Sequence, residues 1–170
     1  INPGTIVMNT SRGEVADGKS LKDAMHQGRL GGFVLDVWEN EPDIDPELMN
    51  LCTLATPHIA GYSADGKARG TAMVVRELSR HFNLEMDDWE TNDIPEPGNP
   101  EIRINGQDLT REEIVSRAIM HTYRVIEDDR RLREEVRDFE KQRGNYPLRR
   151  EFNAYNLIIE HADPETKRIC

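Results

Sequence analysis

The order of apolar runs in the first sixty residues limits the fold more than any other feature of the sequence. Three short runs, typical of buried strands, are Thr5–Asn9, Phe33–Trp38 and Thr53–Thr56. Helical segments separate them: Asp17 is suited to cap a helix that reaches Gly28, and a second, short helix is predicted at Pro46–Met49. Strand–helix–strand order at this spacing predicts an α/β fold with a parallel sheet and crossover helices.

The remainder of the chain predicts a smaller α+β unit that follows a linker. An apolar stripe (Ala68, Ala72, Val75, Leu78, Phe82) predicts a long helix over 63–84, and residues 87–100 hold three prolines among acids and turn residues. A strand at 102–104 follows, then a helix that Thr110 and Glu113 open as a capping box and that carries Val125 and Ile126 on the face of Ile114. A polar helix to about 143 and a strand at 155–159 complete it. We therefore expect domains at 1–86 and 101–170, joined by a linker at 87–100.

Composition and charge argue against nucleic-acid and membrane partners. The net charge is −10, from 32 acidic and 22 basic residues, and an acidic surface repels phosphodiester backbones. The densest basic cluster, Arg130–Arg133, is interleaved with acids and is typical of a solvated, ion-paired helix face. No apolar run approaches the ~20 residues of a membrane helix. Cys52 and Cys170 form neither a disulfide framework nor a zinc motif, which favours a reducing, cytoplasmic location and no metal.

Three loops that follow the predicted strands contain the candidate catalytic and binding residues. They are 9–13 (Asn-Thr-Ser-Arg-Gly), 36–42 (Asp-Val-Trp-Glu-Asn-Glu-Pro) and 56–62 (Thr-Pro-His-Ile-Ala-Gly-Tyr). Ligands bind beyond the carboxyl ends of strands in open α/β sheets. Arg12 is able to clamp a carboxylate, His58 to take a hydroxyl proton, and a carboxylate to orient the imidazole, which together suit oxidation of a hydroxy acid.

Each of these residues also has a structural interpretation. Taken alone, Arg12 suits a surface ion pair, Glu41 a solvated turn, and His58 a satisfied structural histidine. Asp36 differs because an acid inside an apolar strand is costly to bury without a partner or ligand. The residues themselves leave both interpretations open.

The three motifs together resemble the signatures of the D-2-hydroxyacid dehydrogenases. The matching stretches are Asn9–Val15, Leu35–Pro42 and Thr56–Gly61. The resemblance implies the second half of a Rossmann-like doubly wound parallel sheet and NAD as cofactor. It implies that Arg12, Glu41 and His58 are catalytic: Arg12 binds the carboxylate-bearing end of the substrate, Glu41 supports the histidine, and His58 is the acid/base. It further implies that Asp36 holds the nicotinamide carboxamide and that Gly61 lets the backbone approach the cofactor.

Residues beyond the third motif resemble the erythronate-4-phosphate dehydrogenase branch of that family. Tyr62, the run 66–71 and, more loosely, the tail 127–152 carry this resemblance. It implies oxidation of 4-phospho-D-erythronate in pyridoxal phosphate biosynthesis, with Tyr62 contacting the phosphorylated substrate and the tail forming a small dimerisation domain of a homodimer. The alternatives are another phosphorylated or small hydroxy acid, such as 3-phosphoglycerate, and a non-catalytic oligomerisation module. Tyr62 also suits simple packing, and Lys67 and Arg69 suit a helix surface.

Three features suggest a piece of a longer enzyme. The sequence contains no Gly-x-Gly-x-x-Gly, so the pyrophosphate cradle and the acid that reads the adenosine ribose are both missing. The chain does not begin with Met. Asp163-Pro164-Glu165 predicts a helix start only five residues before the end, and a helix that short is unstable. We therefore expect the natural chain to continue past Cys170.

Overall fold

The computed structural model describes residues 2–91 and 93–162. Its strands and helices in chain order are β1 (Thr5–Asn9), α1 (Gly18–His26), β2 (Leu30–Leu35), α2 (Pro46–Leu51), β3 (Leu54–Ala55), α3 (Ala64–Phe82), β4 (Glu101–Asn105), α4 (Arg111–Thr122), α5 (Val125–Glu134), α6 (Phe139–Gly144) and β5 (Asn156–Glu160). The predicted helix start at Asp163 lies outside the described residues. Within them, no helix is both long and apolar enough to cross a membrane.

The chain forms two compact units that interleave along the sequence. The first unit combines Ile1–Ala60 with Val125–Tyr146, and the second combines Gly61–Arg124 with the chain from Pro147 onward. These spatial units are not the continuous domains expected at 1–86 and 101–170, because α5 and α6 pack into the first unit. The domain boundaries themselves stay a prediction.

The first unit contains the predicted parallel sheet, in the order β1-β2-β3. The parallel register pairs Asn9 with Leu35 and Leu35 with Ala55, so the three strands end at one edge. β2 begins and ends about three residues earlier than predicted, which places Asp36 just beyond its carboxyl end. The predicted α/β class, a parallel sheet followed by a small C-terminal domain, is confirmed.

Local signals account for the helices of this unit. Asp17 caps α1 by accepting a hydrogen bond from the Ser20 amide at 2.8 Å. Asp45 caps α2, which has Pro46 in its first turn. Both helices pack on the sheet through side chains such as Leu21 and Leu48.

Residues far along the chain complete the core of the first unit. Leu132 of α5 and Phe139 of α6 are fully buried, and they share one cluster with Phe33, Leu35 and Ala55. A parallel sheet needs both faces covered. Helices α5 and α6 thus cover a part of the sheet that the first sixty residues leave uncovered.

The second unit pairs β4 with β5 in parallel, and α4 packs on them. The predicted capping box is present: Thr110 accepts from the Glu113 amide, and Glu113 accepts from the Thr110 amide at 2.8 Å. The helix ends at Thr122, so the placement of Val125 and Ile126 on the same helix was wrong, and Ile126 is 49% exposed.

The helix predicted over 63–84 is observed as α3, capped by Ser63, but its apolar stripe is only partly buried. Ala72 is buried, whereas Leu78 is 47% and Phe82 61% exposed. Near the start of α3, the buried Asp65 accepts two hydrogen bonds from Arg150, at 3.0 and 3.1 Å, and one from the Glu151 amide at 2.8 Å. This ion pair ties α3 to the segment before β5.

Candidate active site

Three loops leave the sheet from the edge where β1, β2 and β3 end. Because the strands are parallel and in register, the residues directly after Asn9, Leu35 and Ala55 lie along one line. Arg12 follows β1 by three residues, and His58 follows β3 by three residues. The loops that carry the predicted catalytic residues therefore start side by side.

The imidazole of His58 is held by the carboxylate of Glu41. His58 Nδ1 lies 2.7 Å from Oε2 of Glu41, and because an ionised carboxylate only accepts, Nδ1 carries the proton of this bond. The second oxygen of Glu41 accepts the Trp38 amide at 2.8 Å. The side chains of His58 and Glu41 are 30% and 19% exposed. Nε2 of His58 has no hydrogen-bond partner within the described ranges, so one ring nitrogen is fixed and the other is available for proton transfer.

Asp36 holds the loop that presents His58. Its Oδ1 accepts from the Thr56 hydroxyl at 2.6 Å and the Ile59 amide at 2.8 Å, and its Oδ2 accepts from the Ala60 amide at 2.9 Å. The residue is 3% exposed, so these bonds are what stabilise a charge in an apolar strand end. The sequence pointed to Asp36 through its burial cost, but its partners are mostly backbone amides, which sequence does not reveal. Its role toward nicotinamide stays a prediction.

The backbone at His58 has a left-handed conformation, with φ of 55°. A non-glycine residue in this region costs free energy and persists only where its surroundings enforce it. The amides that follow His58 are bound to Asp36, which supplies that enforcement.

Arg12 is placed at the same edge through its backbone. The Asn9 side-chain amide donates to the Arg12 carbonyl at 2.8 Å, and Ser11 donates to the other end of that amide group. The guanidinium donates to the Ser11 carbonyl at 2.6 Å and is exposed. Within the described residues it forms no hydrogen bond or ion pair with Glu41 or His58, so the structure joins the carboxylate and the imidazole but leaves the guanidinium apart.

Gly13 and Trp38 connect the loops, and the sequence alone indicated neither role. A Cβ at Gly13 would lie 2.1 Å from the Trp38 carbonyl oxygen, so only glycine lets the Arg12 loop approach the Glu41 loop this closely. The Trp38 indole donates to the Thr56 carbonyl at 2.9 Å, reaching the His58 loop. The one sequence signal was the indole itself, since a buried Trp N–H needs an acceptor.

Gly61 and Tyr62 are the first residues of the second unit. A Cβ at Gly61 would meet no atom of the described residues within 4 Å, which leaves open space beside the backbone. The Lys67 ammonium lies 4.0 Å from the centre of the Tyr62 ring, a cation–π contact. Their roles toward cofactor and substrate stay predictions. Over the described ranges, no cluster of three or more His, Cys, Asp or Glu side chains is arranged to hold a metal.

Comparison with known families divides the chain in two. Residues 1–60 match the family model of the D-isomer specific 2-hydroxyacid dehydrogenase, NAD binding domain, and residues 94–168 match a domain of unknown function, DUF3410. A solved structure from Polaromonas sp. JS6 66, described as an NAD-binding D-isomer specific 2-hydroxyacid dehydrogenase, aligns at a TM-score of 0.42. It is 30% identical and covers 49% of this chain and 27% of its own. Relatives that are similar in sequence, and not this structure, identify the family of the chain.

Curated relatives match nearly the whole chain. The erythronate-4-phosphate dehydrogenase of Bacteroides fragilis is 45% identical over 159 residues, which cover 94% of this chain and 43% of the relative. The enzymes of that name from Bacteroides thetaiotaomicron and Escherichia fergusonii are 44% and 35% identical, over 90% and 95% of this chain and 41% and 43% of their own lengths. The chain thus spans about two fifths of the length of these relatives. We conclude that it is a homologue of the erythronate-4-phosphate dehydrogenases and corresponds to the C-terminal portion of a D-isomer specific 2-hydroxyacid dehydrogenase.

Proposed function

We propose that the protein containing this chain oxidises 4-phospho-D-erythronate at its 2-hydroxyl with NAD, and that His58 is the acid/base of this reaction. The observation that carries the proposal is the 2.7 Å hydrogen bond between His58 Nδ1 and Glu41 at the carboxyl edge of the sheet. An imidazole oriented in this way has a defined tautomer and one available nitrogen. The 45% identical relative that bears this enzyme name supports the choice of substrate.

The proton path follows from the geometry of the pair. Nε2 of His58 accepts the proton of the substrate hydroxyl while the bond between C2 and its hydrogen breaks, which leaves a carbonyl at C2. The Glu41 carboxylate stabilises the imidazolium that results, because it already accepts from Nδ1. NAD, when bound, supplies the acceptor of the hydride that leaves C2.

Arg12 is proposed to bind the substrate carboxylate. Its backbone is fixed by Asn9, and among the described residues its exposed guanidinium is held only by the neighbouring Ser11 carbonyl. Because few hydrogen bonds have to break, the guanidinium is able to turn toward a planar carboxylate and bind it with two parallel hydrogen bonds.

Asp36 fits one part of the cofactor. In the part of the chain that the structure describes, its Oδ2 accepts one hydrogen bond, from the Ala60 amide, and a carboxylate oxygen has room for a second donor such as a carboxamide N–H. We propose this role for Asp36. For Gly61 we propose that the open space beside its backbone admits the cofactor.

Three further proposals concern the substrate contact of Tyr62, the location of the enzyme and its association. We propose that Tyr62 contacts the phosphorylated end of the substrate, that the enzyme is cytoplasmic, and that the region 101–170 forms a homodimer interface. An apolar groove of about 450 Å³ in the second unit supports the last of these; Ile119 and Phe152 on it are 41% and 63% exposed. Sedimentation of the full-length protein tests the dimer.

The catalytic proposal is tested with the full-length protein that contains this chain. We expect turnover of 4-phospho-D-erythronate with NAD, and we expect His58→Ala to lower kcat by roughly 10²–10⁴-fold, the usual contribution of a general acid/base. His26→Ala is the matched control, because His26 is exposed in the last turn of α1. Steady-state NADH formation measures both variants.

Three outcomes would contradict parts of this proposal. A near-normal kcat in His58→Ala removes His58 from the reaction. Faster turnover of 3-phosphoglycerate than of 4-phospho-D-erythronate shifts the protein to another dehydrogenase of the class. Absence of turnover on either acid, together with no heat on adding NAD, favours an oligomerisation module.

A further inference from the structure

A side chain of α5 completes the outer edge of β3. On its inner side, the β3 segment pairs with β2: the Thr53 amide donates to the Phe33 carbonyl and the Thr56 amide to the Leu35 carbonyl. The Ala55 amide points the other way, and within the described residues β3 has no second strand partner. Asp129 accepts this amide at 2.7 Å. Ala55 is fully buried, so its amide would otherwise be an unsatisfied buried donor.

Asp129 is itself buried and is stabilised by an arginine one turn later. It is 7% exposed, and Arg133 donates to both of its oxygens, at 2.8 and 2.9 Å. Arg133 also donates to the carbonyls of Met49 at 3.1 Å and Cys52 at 3.0 Å, at the C-terminal end of α2. One carboxylate and one guanidinium thus lock α5, α2 and β3 together.

The locked amide is only three residues from His58. Of the two residues between them, Thr56 donates to Asp36 at 2.6 Å and Pro57 has a fixed φ. Little freedom remains in this stretch to absorb a shift of Ala55. A displacement of the β3 end is therefore transmitted to the imidazole and to its bond with Glu41.

We propose that Asp129, supported by Arg133, is a positioning residue for His58 and fixes the end of β3 from which the imidazole reaches Glu41. The proposal rests on the proposed acid/base role of His58. It gives a segment within the DUF3410 match, residues 94–168, a part in the reaction although it touches no substrate.

The test compares variants of the full-length protein by kcat, KM and the NMR signal of the His58 Cε1–H group. Asp129→Ala removes both interactions, and we expect kcat to fall roughly 10- to 100-fold, the scale on which small misplacements act, with KM within about twofold. Its His58 signal should move. Asp129→Asn keeps an oxygen that is able to accept the Ala55 amide, so it should restore part of kcat and of the signal.

The matched control is Arg130→Ala on the same helix. The Arg130 side chain is 59% exposed and its ion pairs with described residues are with Glu127 and Glu134 on the surface of α5, so kcat and the His58 signal should stay as in the wild type. If Asp129→Ala lowers the unfolding temperature but matches Arg130→Ala in kcat and in the His58 signal, Asp129 is merely structural and the proposal is overturned.

Two further measurements keep the result decisive. Should Asp129→Ala fail to fold, Asp129→Asn and Arg133→Met carry the same comparison, and a wild-type His58 signal and kcat in both would overturn the proposal. Should the wild-type protein fail to oxidise 4-phospho-D-erythronate, the proposed function fails, whereas the His58 signal of the variants still decides whether Asp129 positions the imidazole.

Discussion

At the scale of single residues, two carboxylates divide the work of presenting His58. Asp36 binds the backbone amides that follow the histidine and so fixes where its Cα lies. Glu41 binds the ring and so fixes how the imidazole is turned. The left-handed backbone of His58 persists because both constraints act within a few residues of it.

Neutralising Glu41 tests the second of these constraints. In Glu41→Gln the ring keeps a hydrogen-bonding neighbour, but the imidazolium of the proposed reaction loses its counter-charge. We expect kcat to fall, by less than the roughly 10²–10⁴-fold expected when the imidazole itself is removed. Glu47→Gln is the control, since Glu47 is 64% exposed on α2. Equal kcat values in the two variants would count against the role of Glu41.

The thiol of Cys52 should be unreactive in the folded chain. Burial raises the pKa of Cys52 to about 12, and only the thiolate reacts. At pH 8 an ordinary thiol would be roughly a thousand times more ionised. In a Cys170→Ser variant, iodoacetamide should therefore label Cys52 about a thousandfold more slowly in native buffer than in urea. Mass spectrometry measures both rates. Rapid labelling under native conditions would mean that the thiol is not buried.

At the scale of elements, local signals were predictable and distant partners were not. Asp17 and Thr110 predict where their helices begin, because an N-cap side chain binds an amide within three residues of itself. The pairing of Asp129 with Ala55 spans 74 positions, and periodicity reveals which helix face is apolar but not what it packs against. Arg12, Glu41 and His58 were chosen through the family resemblance, whereas the roles of Gly13 and Trp38 depend on contacts between loops that a sequence does not show.

The ion pair between α3 and the segment before β5 predicts an acid sensitivity. Burial raises the pKa of Asp65, but the hydrogen bonds from Arg150 and the Glu151 amide outweigh it, so the pKa ends below its ordinary value of 3.8. The stabilisation is complete above pH 3.8 and is lost as the pH falls through the lower, folded-state pKa.

We expect the free energy of unfolding to decline below about pH 4, and to decline less steeply in Asp65→Asn, which has no carboxylate to protonate. Urea titrations monitored by circular dichroism between pH 2.5 and pH 6 measure this. Asp138→Asn is the control, because Asp138 pairs with Lys141 on the surface. Parallel pH profiles for wild type and Asp65→Asn would contradict the prediction.

At the scale of the whole molecule, the first unit depends on residues contributed more than sixty positions after its sheet ends. Leu132 and Phe139 are fully buried in the same core as β2 and β3. Part of the C-terminal region therefore has a structural role besides the proposed association, because it supports the sheet that carries His58.

Removal of the chain from Pro100 onward should disrupt the first unit as well as the proposed association. Truncating a buried leucine alone costs about 2–5 kcal/mol, and this deletion removes two large core side chains together with α5. We expect the near-UV circular dichroism of the truncated chain to lose its cooperative thermal transition. Leu132→Ala should fall between it and the wild type, and Leu148→Ala, at a residue 52% exposed, should resemble the wild type. An unchanged transition in the truncated chain would contradict this expectation.

The path of the chain through α5 also bears on synthesis by the ribosome. Residues 1–60 are translated before the stretch from Gly61 to Arg124, and the helices that cover their apolar surface are translated only after that stretch. At about 5–20 residues per second this interval lasts several seconds, during which the nascent sheet is exposed to aggregation. Translation pauses within that stretch should therefore lower the soluble yield, whereas a pause placed after Tyr146 should have much less effect on it.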